Sequence, residues 1–160
     1  YDPMIIALVN VNGTRKDAIG KGFQLLADYI FGDNFAQRPI IYPAATRESI
    51  KIAMTAPVQQ QLVDSGWQIS FVMPSEYTIE TLPSPTNKLI TIRTEDSSDF
   101  FTITFSGVNS DQNIEKNQKI LINYLKINHI SIRSKPIYAF YNPPWTLPFL
   151  RRNEILIARD

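Results

Sequence analysis

The chain has 160 residues, no cysteine, one histidine and a formal net charge of +1. This length suffices to bury a substantial core, and we assign residues 1–160 to a single domain. The near-neutral charge, with lysines and arginines spread along the chain, disfavours nucleic acid and anionic membranes as partners. The lack of cysteine excludes disulfides and thiolate catalysis, and one histidine leaves no zinc-type ligand set.

No apolar run is long enough to span a bilayer and no secretory segment is visible, so the sequence predicts a soluble protein. The chain opens at Tyr1 and runs directly into an apolar segment that begins at Met4. We therefore expect residues upstream, and a removed signal peptide is compatible with this start. Cytoplasmic and exported locations both stay open, and so does the oligomeric state.

The first elements are a strand and a helix. Met4 to Val11 is apolar on both faces, which is typical of a strand inside a sheet. Helical spacing of apolar side chains predicts a helix over about 16–31, capped by Thr14 and ended by Gly32. The apolar stripe of this helix consists of Ile19, Phe23, Leu26 and Ile30.

Alternating apolar residues predict two strands after a loop over 33–48. Ile50 to Ala56 alternates up to Pro57, and the strand can resume from Val58 to Leu62. Met54 falls in the apolar register of this strand, so we interpret it as a core residue. Trp67 to Met73 is the strongest strand signal in the chain.

The middle of the chain predicts a connector followed by a hairpin. Residues 75–87 contain two prolines and form the connector, with a short pairing over 77–81. Residues 89–94 and 101–105 alternate on either side of a polar turn, which favours a hairpin.

A second helix and two strands close the chain. Apolar spacing predicts the helix over about 111–128, with Ser110 as its N-cap. Tyr138 to Tyr141 and Ile155 to Ala158 are the closing strands.

The order strand, helix, strand, strand thus occurs twice, over 4–73 and 100–159, with one strand between. A duplicated β-α-β-β unit predicts an α+β fold: a distorted antiparallel β-barrel or curved sheet flanked by two α-helices. We expect a pseudo-two-fold cleft at the junction, where ligands commonly bind.

The loop over 142–154 combines prolines with large apolar side chains, although loops are normally polar. Its prolines fix φ, so the shape of the loop is held in advance. Its apolar side chains are Trp145, Leu147, Phe149 and Leu150. Permanent packing on the core and a preformed lid over a ligand both fit this composition.

Five phrases of the sequence together resemble the SOUL or haem-binding protein family. They are YIFGDN at 29–34, KIAMTAPV at 51–58, FVMPSEYTIETLP at 71–83, FSG at 105–107 and YNPPWTLPFLRRNEI at 141–155. The resemblance covers essentially the whole chain, and MTAPV at 54–58 with RRNE at 151–154 are its most specific parts. It implies the same fold, related to gyrase-inhibitor-like ligand-binding domains.

The resemblance implies binding of haem or a related tetrapyrrole in a shallow apolar groove between the first helix and the 142–153 loop, mainly by hydrophobic contact. Matched residue by residue, it points to Phe23 and Ala27 on the helix. In the loop it points to Trp145, Leu147 and Phe149.

One departure from the family pattern affects charge. Characterised members carry basic residues on the groove side of the first helix, where this chain has Gly20, Gln24 and Asp28, and Asp28 would repel a propionate. Arg151 and Arg152 are adjacent cations near the loop, so we predict that they anchor the carboxylates instead.

Side chains that could ligate iron have simpler explanations. His129 follows the second helix, where the helix dipole favours it, and it matches no ligand position of the family. Tyr138 and Tyr141 are interpreted as packing residues. A family histidine thought to precede the first strand falls outside this chain. We therefore expect weak or no coordination of a haem iron by the protein.

Enzyme motifs are absent from the sequence, which has no G-x-S-x-G elbow, no cysteine nucleophile and no phosphate-binding glycine loop. Glu154 beside Arg152 is more typical of an ion-paired strand end than of a general base. The sequence therefore favours a binding protein over an enzyme. Two alternatives stay open: a binding domain for another flat apolar or amphiphilic small molecule, and a cryptic hydrolase or isomerase on the same scaffold.

Overall fold

The computed structural model describes residues 1–37, 48–132 and 134–159. Its strands are β1 (Met4–Val11), β2 (Asn34–Phe35), β3 (Val58–Val63), β4 (Gly66–Val72), β5 (Ser84–Pro85), β6 (Thr91–Glu95), β7 (Phe100–Phe105), β8 (Ile137–Phe140) and β9 (Asn153–Ala158). Its helices are α1 (Arg15–Phe31) and α2 (Asp111–Ile127), and a short 3-10 turn covers Pro148–Leu150. Neither α1 nor α2 is long and apolar enough to cross a membrane.

Seven strands form one open antiparallel sheet in the order β6-β1-β4-β3-β8-β9-β7. The order β1-β4-β3 on one side is matched by β7-β9-β8 on the other, and the two halves meet at the β3–β8 ladder. Helix α1 packs on β1 and β4, and α2 packs on β7 and β9. The predicted α+β fold, a curved sheet with two helices built from a duplicated β-α-β-β unit, is confirmed.

The sheet curls away from the helices. Residues of both edge strands, Arg93 of β6 and Phe100 of β7, line one small cavity of about 90 Å³ on the face opposite the helices. Tyr1 spans the gap between these edges, because it exchanges two backbone hydrogen bonds with Ser98 and its ring meets Phe100 edge-on at 5.5 Å. The described strands therefore approach a barrel without closing it.

Strand β1 lies inside the sheet as its apolar pattern predicts, between β6 and β4. Ala7 and Val9 face α1 and pack in a core with Leu26 and Ile30. Ile6, which points to the opposite face, is buried as well. Burial from both sides explains why successive residues of this strand are apolar.

Both helices begin where their predicted N-caps place them, and α1 ends at the predicted Gly32. The Thr14 side chain accepts a hydrogen bond from the Asp17 amide at the start of α1, and Ser110 does the same for Asn113 at the start of α2. Gly32 follows α1 with φ of 132°, a conformation that side chains rarely adopt.

The strand predicted over 50–56 is wrong. The Ile52 amide donates to the Ile30 carbonyl at the end of α1, and only the side-chain hydroxyl of Thr55 reaches β4, at the Val72 carbonyl, so the segment forms no backbone ladder with a neighbouring strand. Regular pairing begins only after Pro57, which has no backbone donor. Met54 is 48% exposed, so its interpretation as a core residue is wrong too.

The predicted hairpin of 89–94 with 101–105 is also wrong. β6 pairs with β1 and β7 pairs with β9, at opposite edges of the sheet. The pairing predicted over 77–81 falls instead at Ser84–Pro85, opposite Asn34–Phe35. Most of the loop predicted over 33–48 lies outside the described residues.

Close packing of α1 on the sheet generates a stability prediction. A Cβ added at Gly22 would lie 2.6 Å from Cγ1 and 2.9 Å from Cβ of Ile69, whereas one added at Gly20 meets nothing within 4 Å. Gly22→Ala should lower the free energy of unfolding by about 1–3 kcal/mol, because overpacking a core costs that much. Gly20→Ala should instead raise it by about 0.5–1 kcal/mol through helix propensity.

Urea unfolding of the two variants and the parent chain measures both effects. Equal changes in the two variants would contradict the close helix–sheet approach at Gly22.

Candidate functional site

A cleft of about 740 Å³ opens between α1, the 54–60 segment and the loop after β8, and its lining is mainly apolar. Ile19, Gly20 and Phe23 line it from α1. Met54, Thr55 and Ala56 line it from the segment that leads into β3, and Val58 and Gln60 line it from β3 itself. The other side consists of Phe140, Tyr141, Asn142, Pro143, Pro144, Trp145, Arg151 and Asn153, with Asn109 from the start of α2.

Aromatic side chains stand on both elements that bound the cleft. Phe23 on α1 is 38% exposed and meets Phe71 of the sheet edge-on, with ring centroids 5.3 Å apart. Trp145 in the loop is 83% exposed. Aromatic rings provide large apolar contact areas with defined stacking geometry. The cleft therefore offers two rings to a flat apolar molecule.

The loop holds its own shape. Arg151 donates from Nε to the Thr146 carbonyl at 2.7 Å and from Nη2 to the Pro144 carbonyl. The Arg152 amide donates to Oδ1 of Asn142 at 2.6 Å. These bonds add to the stiffness that the prolines supply.

The large apolar side chains of the loop are not packed on the core. Trp145, Leu147, Phe149 and Leu150 are all more than half exposed. Permanent packing on the core, one of the two arrangements that the composition allows, is therefore not observed. This exposed apolar surface is of the kind that marks a binding site.

The loop rejoins the sheet at a buried carboxylate. Glu154 accepts hydrogen bonds from the hydroxyls of Tyr1 at 2.5 Å and Tyr141 at 2.8 Å, and from Nη2 of Arg152 at 2.6 Å. The Arg152 guanidinium also stacks over the Tyr141 ring, 4.4 Å from its centroid. The carboxylate is thus fully engaged, which argues against a role as a general base.

Two opposing effects act on the pKa of Glu154. Burial raises the pKa of this carboxyl, but hydrogen bonds from Tyr1, Arg152 and Tyr141 outweigh burial and bring the pKa below its ordinary value of 4.5. The pKa of the Tyr1 hydroxyl is raised, by burial and by its hydrogen bond to Glu154. Glu154 is therefore ionised at neutral pH and its tyrosine partners are protonated donors.

The residues predicted for the site fall into two groups. Phe23, Trp145 and Arg151 line the cleft. Ala27, a residue of α1, is buried and does not line the cleft. Leu147, Phe149 and Arg152 belong to the loop but not to the cleft lining. The binding role of all seven stays a prediction.

Sequence reasoning missed the uncharged polar groups of the cleft, Gln60 above all. Gln60 shares a strand face with Val58 and Leu62, so a polar side chain interrupts an apolar face. That interruption is the signal that could have singled it out.

Few side chains near the cleft can ligate iron. His129 lies just after α2 with φ of 55°, is exposed and does not line the cleft. Met54 and Tyr141 do line it, but the Tyr141 hydroxyl already donates to Glu154. Within residues 1–37, 48–132 and 134–159, no group of three or more metal-ligating side chains comes together. The lining suits the hydrocarbon face of a large flat ligand better than a metal.

The curved sheet, the two helices and the open apolar cleft define a small-molecule-binding domain of the α+β class. Comparison with known families specifies it further: the model for the family described as SOUL heme-binding protein matches residues 1–158. The chain belongs to the SOUL haem-binding protein family.

Solved structures support the fold. A structure titled "Crystal structure of EcmrR C-terminal domain" is similar with a TM-score of 0.64 at 9% identity, covering 99% of this chain and 92% of that one. A structure titled "Crystal structure of a hydrolase from Listeria innocua" gives a TM-score of 0.57 at 11% identity, covering 98% and 87%. No curated protein matches the sequence significantly. At such identities the likeness concerns the fold alone.

The carboxylate at the sheet end generates a pH prediction. Because the pKa of Glu154 is lower in the folded state than its ordinary 4.5, its stabilising effect is complete above about pH 4.5 and is lost as pH falls through the folded-state pKa. Glu154→Gln should therefore destabilise the protein most at neutral pH, and the difference from the parent should shrink below pH 4.5.

Urea unfolding of both proteins between pH 7 and pH 3 measures this difference. A difference that stays constant over the whole range would show that the charge of Glu154 contributes nothing.

Proposed function

We propose that the protein binds haem or a related tetrapyrrole in the cleft between α1 and the 142–153 loop, mainly by hydrophobic contact. The observation that carries the proposal is the cleft itself, mainly apolar and about 740 Å³ in volume, in a chain of the SOUL haem-binding family. Sites for small molecules usually have volumes of about 300–1,000 Å³.

The driving force is burial of exposed apolar surface. Trp145 and Phe23 both keep accessible area beside the cleft, and a bound macrocycle would cover it. Covering one large apolar side chain contributes about 1.5–3 kcal/mol. The loop is already held in place by Arg151, so little conformational entropy is lost on binding.

Carboxylates of the ligand would lie near the two arginines. Arg151 lines the cleft, and its Nη1 donates to no residue in the described part of the chain. Arg152 is bonded to Glu154 through Nε and Nη2, and its Nη1 likewise donates to no residue in the described part of the chain. Each guanidinium can therefore hold the protein and a propionate at once.

Iron would play a minor part in affinity. Met54 is the cleft residue with a free soft donor, and a thioether alone is a weak axial ligand. A bound haem would supply its own redox and gas-binding chemistry. The protein would supply the apolar walls and orientation.

The first prediction tests the site. Haemin and metal-free protoporphyrin should both bind saturably with similar affinity, and Trp145→Ala should weaken binding by about 1–3 kcal/mol because one large apolar contact is lost. Absorbance titration gives the affinities, and quenching of Trp145 fluorescence in the parent gives an independent signal.

Leu150→Ala is the matched control, since Leu150 is an exposed apolar residue of the same loop that does not line the cleft. An equal loss in both loop variants would place the ligand elsewhere on the loop. Lack of saturable binding by the parent chain would refute the proposed ligand class.

The second prediction concerns the arginines. Replacing Arg151 and Arg152 by Gln should lower affinity for a porphyrin diacid about 2- to 5-fold more than for its dimethyl ester, the scale of exposed ion pairs. Any loosening of the loop affects acid and ester alike, so the difference between them isolates the carboxylate contact. Equal losses would show that the arginines only support the loop.

A further inference from the structure

Gln60 is a buried polar residue on an apolar face of the sheet. It pairs with Ile69 of β4 and Tyr138 of β8 across the ladders, so its side chain lies on the helix-covered face with theirs. Its exposed fraction is 2%, and it lines the floor of the cleft. Burial of an amide is costly unless both of its polar ends find partners.

One end of this amide is held firmly. Arg15 donates from Nε to Oε1 of Gln60 at 3.0 Å. The Arg15 guanidinium is itself fixed by Oδ1 of Asp111 at 2.6 Å and by the Asn109 carbonyl, and it stacks over the Phe140 ring at 5.7 Å. Since Oε1 is the acceptor from Arg15, the NH₂ group is directed away from Arg15.

The other end of the amide has no partner. No acceptor in the described part of the chain receives a hydrogen bond from Nε2 of Gln60. In that part of the chain, however, every side-chain nitrogen or oxygen that is cut off from solvent has a hydrogen-bond partner. The Nε2 group must therefore reach open space. Gln60 also borders the small cavity on the opposite face, but its side chain shares the helix-covered face with Ile69 and Tyr138, where the open space is the cleft.

We propose that Nε2 of Gln60 donates a hydrogen bond to an oxygen of the ligand, a carboxylate or a carbonyl, at the floor of the cleft. This rests on the proposed function, because it requires a ligand in that cleft. An oriented donor in an apolar site discriminates strongly, since a ligand that lacks the acceptor leaves the donor buried and unpaired. The preferred ligand is therefore an apolar molecule with an oxygen acceptor on the part that enters first.

The test compares three porphyrins of one ring size under the same detergent conditions. Mesoporphyrin IX carries two carboxylates, its dimethyl ester keeps carbonyl oxygens without the charge, and etioporphyrin has alkyl groups and no oxygen. In the parent chain we expect the acid to bind more tightly than etioporphyrin. Gln60→Leu should lower affinity for the acid about tenfold, the scale of a buried hydrogen bond, and leave etioporphyrin unchanged or tighter.

Gln61→Leu is the matched control. Gln61 is the next residue of β3, points to the opposite face and donates to the Lys135 carbonyl, so its loss should leave all three affinities unchanged. Gln60→Met, which also lacks the donor but is more flexible, replaces Gln60→Leu if that variant does not fold. The ester identifies the acceptor: a loss shared by acid and ester indicates a carbonyl oxygen, and a loss confined to the acid indicates a carboxylate.

The readout is a lower affinity for the acid together with a lower ratio of the acid affinity to the etioporphyrin affinity. A more apolar floor alone would tighten etioporphyrin without weakening the acid, and a general structural defect would weaken both ligands alike. An unchanged ratio in a folded Gln60 variant that still binds porphyrins would overturn this inference and leave the proposed function standing. Failure of the parent chain to bind any of the three would overturn both.

Discussion

The ladder between β3 and β8 is the constraint on which the rest of the structure depends. Four residue pairs, from Val58 opposite Phe140 to Gln61 opposite Ile137, join the two halves of the sheet. Arg15 spans the same seam, because it belongs to α1 and bonds Gln60 of β3 and Asp111 of α2. The cleft lies above this seam, so its two walls come from different repeats. Their separation is set by one short set of backbone hydrogen bonds and one guanidinium.

Much of the fold could be predicted because its signals are local. Thr14, Ser110 and Gly32 act on neighbouring backbone groups, so the helix limits follow from residues a few positions apart. Strand partners are not local. The alternation in 101–105 predicts a strand but not that β9 pairs with it, and the bonds that keep 50–56 out of the sheet go to α1 and β4. Propensity therefore located the strands better than it paired them.

The candidate site divides in the same way. Its aromatic walls could be expected, since large apolar side chains in a proline-rich loop need a cover and Phe23 belongs to the apolar stripe of α1. Its buried amide could not be expected, because the partner that orients Gln60 is 45 residues away in sequence. The resemblance to haem-binding proteins likewise pointed to hydrophobic contacts. The buried amide is visible only once the strand register assigns it to the helix-covered face.

The bonds that Arg151 makes within its own loop have a consequence for the rate of binding. The Arg151 guanidinium is bonded to two backbone carbonyls of its own loop, and the prolines leave few backbone torsions free. Binding therefore does not require the loop to close first. For the proposed ligand, encounter and docking would then be a single event, and we expect the observed rate to rise in proportion to ligand concentration without reaching a plateau. With the loop held open in this way, we expect escape of the proposed ligand to depend on contact strength. Under the proposed function, such a protein would exchange its ligand readily with its surroundings.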